Sequence, residues 1–169
     1  MTQKTKKIAS ASELRHHDPE DLITFRMSAL SQLLGRVVEA SVSGELGLSS
    51  RQWRVLVILN RLGEATSGDV ARVSRLDHSQ VSRASHELVG KGLIAMHTDG
   101  ADKRRQMLKT TPEGIEVLRR GIVGSQHRQQ RLRARISDED YAVFKRVIEA
   151  LTDESQRLLE EAKDGGGAP

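Results

Sequence analysis

Between Leu22 and Val38 the apolar residues Leu22, Leu30, Leu33 and Val37 recur at helical spacing, with Leu34 and Val38 widening the stripe. This predicts a first helix from Asp21, with Asp18, Glu20 and Asp21 placing negative charge at its positive N-terminal end. The run "SGELGLSS" (43–50) interrupts the pattern, and Ser49 or Ser50 can cap a second helix, "RQWRVLVILNRLG". That segment is too apolar to be exposed and ends at Gly63. Thr66 and Asp69 have capping-box spacing and open a third helix through Val70, Ala71 and Val73. After the turn "RLD" (75–77) the pattern predicts a fourth helix, "HSQVSRASHELVGKG", ending at Gly90 or Gly92. Asp77 and Gln80 again have capping-box spacing.

The period then changes to two. "LIAMHT" and "MLKTT" alternate on either side of "HTDGADKRRQ" (97–106), the pattern of a two-stranded β-hairpin with a charged tip. Pro112 stands at the start of a long fifth helix reaching about Arg135, and Ser137 starts a last helix carrying Tyr141, Phe144, Ile148, Leu151, Leu158 and Leu159. Residues 1–19 read as a mobile arm and 164–169 as a flexible tail. Two short helices joined by a tight turn and followed by a hairpin make a winged helix-turn-helix unit, spanning residues 49–111. The expected fold class is therefore mostly α with a two-stranded β wing.

Composition narrows the partners. The chain has 169 residues, the size of one domain, and is 37% hydrophobic and 30% charged, as folded proteins are. Aromatic residues make up only 2%, so the core must be aliphatic, which favours helix-on-helix packing. With no cysteine, disulfides, thiolate catalysis and cysteine metal sites are excluded. No apolar run has the length of a membrane span, and the basic start "MTQKTKK" lacks the apolar segment of a signal peptide. The expected compartment is the cytoplasm, with no membrane partner. The net charge of +4 is compatible with nucleic acid.

On the fourth helix, Val81, Ala84, Ser85 and Leu88 form the inward face, which turns Ser79, Gln80, Ser82, Arg83 and His86 outward. Gln can bond adenine bidentately, Arg can bond guanine, and Ser reaches phosphate or base edges. Gln80 and Arg83 are the preferred base readers. A polar solvent face is the alternative for such a helix in isolation, and its place before a wing favours DNA. The hairpin tip offers Lys103, Arg104 and Arg105 on a narrow loop, suited to a minor groove roughly 6 Å wide. Asp102 is expected to hold a neighbouring arginine through a carboxylate–guanidinium pair. Gly100 is expected to let the chain reverse.

The run "QWRVLVIL … SGDVARVSRLDHSQVSRASHELVGKGLI … DGADKRRQMLKTTPEG" resembles the MarR (multiple-antibiotic-resistance regulator) family of winged-helix regulators. Trp53 in the second helix, "VSR" in the fourth, "KGLI" before the wing, a "D-x-R" at its tip and "TPEG" after it carry the resemblance. It implies that Asp102 and Arg104 form the D-x-R pair, with the arginine in the minor groove. It also implies a homodimer in which segments 20–48 and 112–163 interlock. Those helices do carry more apolar surface than one winged module needs. Two recognition helices would then meet a pseudo-palindromic operator with half-sites roughly 10 bp apart. Many relatives have glycine in the helix-turn-helix turn, where this chain has Ser74-Arg75.

The resemblance further implies a repressor released by a small-molecule effector bound between the dimer helices and the winged module. Arg26 lies in line with the first apolar stripe, where a cation suits an organic anion such as an aromatic carboxylate or its acyl-CoA thioester. It could equally pair with an acid of the partner chain. Trp53 is either core or a shelf for the ligand. A ligand-independent or architectural DNA-binding protein is the alternative function. No catalytic residues, cofactor or metal site are expected: the histidines (His16, His17, His78, His86, His97, His127) form no H-x-x-x-H pair, and no nucleotide or nucleophile motif is present. His16-His17 beside Asp18 and Glu20 is the one cluster a metal sensor could use, and reads as a solvated arm. The run of six arginines without an acid from Arg119 to Arg135 is either a face paired with Asp138, Glu139 and Asp140 or a seat for a phosphate-bearing effector.

Overall fold

In the computed structural model residues 18–165 are described, so all but the last two residues of the arm predicted over 1–19, the histidines His16 and His17, and most of the predicted tail lie outside the described residues. A single 3-10 turn, Pro19–Asp21, precedes α1 (Ile23–Leu46), α2 (Ser50–Leu62), β1 (Glu64–Thr66), α3 (Ser67–Ser74), α4 (His78–Gly90), β2 (Ile94–Thr98), β3 (Gln106–Thr110), α5 (Pro112–Arg133) and α6 (Asp138–Gly165). The first helix thus begins two residues later than its acidic start predicts. Asp18 accepts the Glu20 N–H and the Pro19 carbonyl accepts the Leu22 N–H, so the acidic turn closes on itself before α1 starts.

The chain divides into two compact units, one up to Gly121 and one from Ile122. The core of the first lies where α2, α3, α4 and the sheet converge, and Val55, Leu56, Leu59, Val70, Val81, Leu88 and Leu108 are all fully buried in it. Each such leucine or valine contributes about 1.5–3 kcal/mol by leaving water. Capping sets where the helices start. Ser49 and Gln52 form a capping box at α2, and Thr66 and Asp69 form another at α3. The Thr66 hydroxyl, first among several donors, holds the Asp69 carboxyl below its ordinary value. Since the folded value is the lower one, this stabilisation is present at neutral pH and lost as pH falls through it. At Asp77 no side-chain bond forms, so the second predicted capping box there is absent.

The sheet has three strands in the order β1-β3-β2, all antiparallel, where the sequence pattern predicts two. Ala65 of β1 lies opposite Leu108 and is buried, while Glu64 and Thr66 flank it. A three-residue strand with one apolar position has no periodicity to read. It exists because β3 offers its second edge to it.

Two glycines let α5 approach the first unit's core. A Cβ on Gly114 would lie 2.1 Å from the Leu93 carbonyl oxygen, and one on Gly121 would lie 2.4 Å from the Trp53 ring and 2.7 Å from Leu46. In an unpacked helix, glycine to alanine gains about 1 kcal/mol. Here the sign should reverse. Gly121→Ala is expected to lower unfolding stability by about 1–3 kcal/mol through overpacking, and Gly114→Ala, which meets backbone, by at least as much. Urea denaturation checks both, and a stabilised Gly114→Ala would contradict the close approach.

Candidate nucleic-acid interface

The helix-turn-helix is α3 and α4. Between them Arg75 adopts φ 57° and ψ 32° and is the non-glycine residue with a positive φ among those described. The left-handed residue that ends α3 is therefore an arginine where a glycine would be unstrained. Ser74 beside it is buried, with its hydroxyl donating to the Ala71 carbonyl at 3.3 Å. The turn closes without glycine, and Arg75 carries the strain.

On α4, Val81, Ala84, Ser85 and Leu88 are the buried residues, as the spacing predicts. Ser79, Arg83 and His86 are exposed, and Gln80 and Ser82 are half-buried. His86 does not extend freely: its ring Nδ1–H donates to the Ser82 carbonyl one turn back, at 2.8 Å. Ser79, Gln80 and Arg83 share a polar groove of about 280 Å³ with Ser49, Arg51, Asp77, Ala84 and Glu87. Ser82 and His86 do not line it. The sequence reading missed Ser49 and Arg51, which belong to the start of α2. Only tertiary packing sets the first turn of α2 beside the first half of α4, so no local pattern marks Arg51 as part of this surface.

At the wing tip the chain is shaped by carboxylates bonding backbone. Asp99 accepts the Ala101 N–H at 2.8 Å, and Asp102 accepts the Arg104 N–H at 3.0 Å. The Arg105 N–H donates to the Asp102 carbonyl, and the Asp99 N–H to the Arg105 carbonyl, both at 2.9 Å. Backbone donation from Ala101 is the leading cause holding the Asp99 carboxyl below its ordinary range. Two expectations are corrected here. Among the described residues no ion pair joins Asp102 to an arginine guanidinium; the carboxylate instead fixes the backbone at Arg104. Gly100 has no positive φ, so the reversal comes from the Asp99 and Asp102 turns. Asp102, Lys103, Arg104 and Arg105 are all exposed. At the wing's root Glu64 of β1 reaches across β3, bonding His97 Nε2 at 2.7 Å with Lys109 Nζ at 3.9 Å.

The two residues considered for an effector are placed apart. Arg26 sits in the first turn of α1, is exposed, and donates from Nε to the Glu20 carbonyl. Trp53 is 7% exposed, and its ring packs where Leu46 and Gly121 meet. Arg26 and Leu46 stand about 30 Å apart along α1, so within one chain Arg26 and Trp53 do not share a pocket. In the arginine run, Arg133 bonds Asp138 and the carbonyls of Ile136 and Ser137 and lies 4.6 Å from the Tyr141 ring centroid. Arg119 pairs with Glu116 at 3.2 Å. Among the described residues no helix is long and apolar enough to cross a membrane, and no cluster of three potential metal ligands occurs.

A short helix pair, a recognition helix with polar residues outward, and a hairpin with a cationic tip define a winged helix-turn-helix protein of the DNA-binding class. Residues 46–105 match the MarR family. A protein of Thauera aromatica assigned as a transcriptional regulatory protein for the hcr operon is 28% identical over 131 residues, covering 63% of this chain and 78% of that protein. The PcaV transcriptional regulator of Streptomyces coelicolor, solved in complex with its natural ligand, superposes with a TM-score of 0.74 at 27% identity, over 82% of this chain and 97% of that one. MepR of S. aureus, solved with DNA, gives 0.72 at 19% identity, over 79% and 98%. The segment 46–105 thus resembles the MarR family, and over most of its length the chain is similar to proteins described as transcriptional regulators.

The strain at Arg75 is testable. A side chain in the left-handed region costs about 1–2 kcal/mol, and glycine there costs about 0.4–1 kcal/mol in unfolded-state entropy. Arg75→Gly is therefore expected to leave stability unchanged or raise it by up to about 1.5 kcal/mol. Arg75→Val should lower it by about 1 kcal/mol or more, because a β-branched residue tolerates positive φ worst. Chemical denaturation of both variants decides, and a destabilised Arg75→Gly would show that the arginine side chain contributes more than its backbone costs.

Proposed function

We propose that the chain acts as a cytoplasmic homodimeric repressor that binds a pseudo-palindromic operator and is released by a small organic anion. The observation that carries the DNA reading is the joint exposure of two cationic elements of one module. Arg83, with Ser79 and half-buried Gln80, lies on α4, and Lys103, Arg104 and Arg105 lie on a tip built by backbone turns. In this reading Gln80 and Arg83 address base edges in the major groove, with Ser79, Ser82 and His86 on the same helix contacting phosphate or bases. Arg104 enters the minor groove while Lys103 and Arg105 meet phosphate, and Asp102 holds the backbone from which Arg104 projects.

Dimer formation is supported by apolar surface that each unit leaves exposed. On α1 these are Leu22, Ile23, Phe25, Met27, Leu30, Leu33 and Val37, and Leu33 is 58% exposed. In the second unit Val143, Phe144, Val147, Ile148, Leu158 and Leu159 are exposed. Solvated single chains rarely leave so many large apolar side chains exposed on single helices. The ligand-bound state of the PcaV regulator favours an effector-responsive protein over an architectural one. Arg26, exposed on the same helix, is the cation we assign to the anion. Release follows if the anion binds better to dimers whose recognition helices are wrongly spaced.

Binding to the DNA flanking the chain's own gene tests the reading. Arg104→Ala should weaken operator binding and relax the preference for A·T-rich flanks; unchanged affinity would rule out the minor-groove assignment. Gln80→Ala and Arg83→Ala should each cost about 1–3 kcal/mol and alter preference at one symmetric pair of positions. Equal weakening on every sequence would restrict them to phosphate. Light scattering should give twice the 18.7 kDa chain mass, and Leu33→Glu should shift it toward the monomer. Aromatic carboxylates and their CoA thioesters should release operator DNA from the wild type and not from Arg26→Ala. Identical release from both would discard Arg26, and no release by any of them would favour the architectural alternative.

A further inference from the structure

Gln52 is a polar residue inside the core, 7% exposed, at the point where the start of α2 meets α4. Its Oε1 accepts the Ser49 N–H at 2.9 Å, and its own backbone N–H donates to the Ser49 hydroxyl at 3.2 Å. With Oε1 committed to that donor, the amide NH2 faces α4, where Nε2 donates to Glu87 Oε2 at 2.7 Å. The neighbouring Ser50 N–H donates to Glu39 Oε2 of α1 at 2.6 Å. The first turn of α2 therefore carries directional contacts to α1 on one side and to the recognition helix on the other.

The remaining hold on the body of α4 is mainly apolar, with Lys91 at its C-cap donating to the Gly47 carbonyl at 3.2 Å. Val81, Ala84 and Leu88 press on the core, and the fourth inward residue, Ser85, has a buried hydroxyl with no hydrogen-bond partner. Apolar burial is non-directional and tolerates small slides and rotations of one helix on another. A charge-assisted hydrogen bond does not, since its strength falls steeply with distance and angle. Glu87 is also an electrostatic oddity: it is an acid one helical turn beyond Arg83, lining the same groove. For a helix addressing phosphates, such a charge should only weaken binding.

We propose that the Gln52–Glu87 bridge positions the recognition helix, fixing the rotation and axial placement of α4 on α2 so that Gln80 and Arg83 meet DNA in register. Glu39 and Ser50 extend the bridge to α1, so the placement of α4 is tied to the helix that also carries Arg26. Gln52 and Glu87 act as positioning residues and need touch no base. The inference rests on the reading of α4 as the DNA-reading helix.

Simple electrostatics and the bridge predict opposite signs for Glu87→Ala. Removing a negative charge from the DNA-facing helix should tighten binding; breaking the bridge should weaken it. Dissociation constants of the full chain for its operator and for an unrelated duplex, with thermal unfolding alongside, separate the two. Glu87→Ala is expected to bind the operator about tenfold more weakly, the worth of a hydrogen bond to a charged group, and the unrelated duplex as well as or better than wild type. Gln52→Glu sets two carboxylates together and should lose operator affinity by about tenfold or more. Adding Glu87→Gln to it restores a donor–acceptor pair in reversed order and should recover affinity to within about threefold of wild type. Glu87→Ala changes an exposed side chain and keeps the test open should Gln52→Glu fail to fold. The bridge is overturned if Glu87→Ala binds its operator as tightly as wild type or tighter. It is equally overturned if the reversed pair gives no recovery, or if the variants lose thermal stability with an unchanged ratio of operator to unrelated affinity. Wild-type protein that does not discriminate its operator at all would refute the DNA-reading assignment itself, an outcome visible before any variant is made.

Discussion

The packing of α4 on α2 is the constraint from which the rest of the module follows. A recognition helix is useful only if one side is held firmly enough for the other to be aimed. Here the held side is narrow: Val81, Ala84, Ser85 and Leu88, against Val55, Leu56 and Leu59 of α2 in the common core. Alanine and serine at the middle positions leave little side chain between the helices. Close approach and burial of Leu88, rather than bulk, seat α4 on the core without fixing its rotation or axial placement. Trp53 is the one aromatic side chain among the buried core residues, so the rest of that core is packed with aliphatic side chains. Gly114 and Gly121 follow the same logic on α5, where any Cβ would strike the Leu93 carbonyl or the Trp53 ring.

Much of this was legible in sequence because it is local. The inward face of α4 follows from the 3.6-residue period, and the caps at Ser49 and Thr66 from the chemistry of unsatisfied N–H groups at helix starts. What was not legible is non-local or concerns backbone. Strand β1 has too few residues to show a period, and owes its form to Leu108 and Lys109 across the ladder. Arg51 joins the groove only through tertiary placement. Asp77 has the spacing of a capping residue, but spacing sets who can meet and not which rotamer is taken. The partner of Asp102 was misjudged for a related reason. Charge suggested a guanidinium, whereas an aspartate two residues before an N–H in a tight turn has that donor within reach at little entropic cost.

The backbone bonds of Asp99 and Asp102 also account for acids in a loop proposed to meet DNA. Asp99 and Asp102 sit among Lys103, Arg104 and Arg105, and two carboxylates beside three cations would appear to cancel most of the tip's attraction for phosphate. Their oxygens are turned to backbone N–H groups at Ala101 and Arg104, whose dipoles offset part of the negative charge. The lowered titration of Asp99 is the signature of that stabilisation. Among the described residues no ion pair ties Lys103, Arg104 or Arg105 to an acid, although Arg105 acts on Asp99 through its field. A guanidinium bound to Asp102 would have had to break that pair before meeting a phosphate or a groove floor, and its desolvation would oppose binding. Rigidity is thus placed in the backbone by the acids, and charge is left at the ends of the basic side chains.

The same separation between what fixes and what contacts runs through the winged helix-turn-helix unit. Glu64 spans the three strands at the wing's root to reach His97 and Lys109, far from the tip it steadies. Surface contacts of this kind, a hydrogen bond to His97 and a long ion pair to Lys109, contribute at most about 1 kcal/mol each, too little to decide whether the sheet forms. Their weight falls on orientation, since a small angular error at β1 is multiplied along the length of the hairpin. A regulator built this way can lose DNA discrimination without losing its fold. Substitutions at residues that never touch DNA should therefore be sorted by their effect on the ratio of operator to unrelated affinity, and not by stability alone.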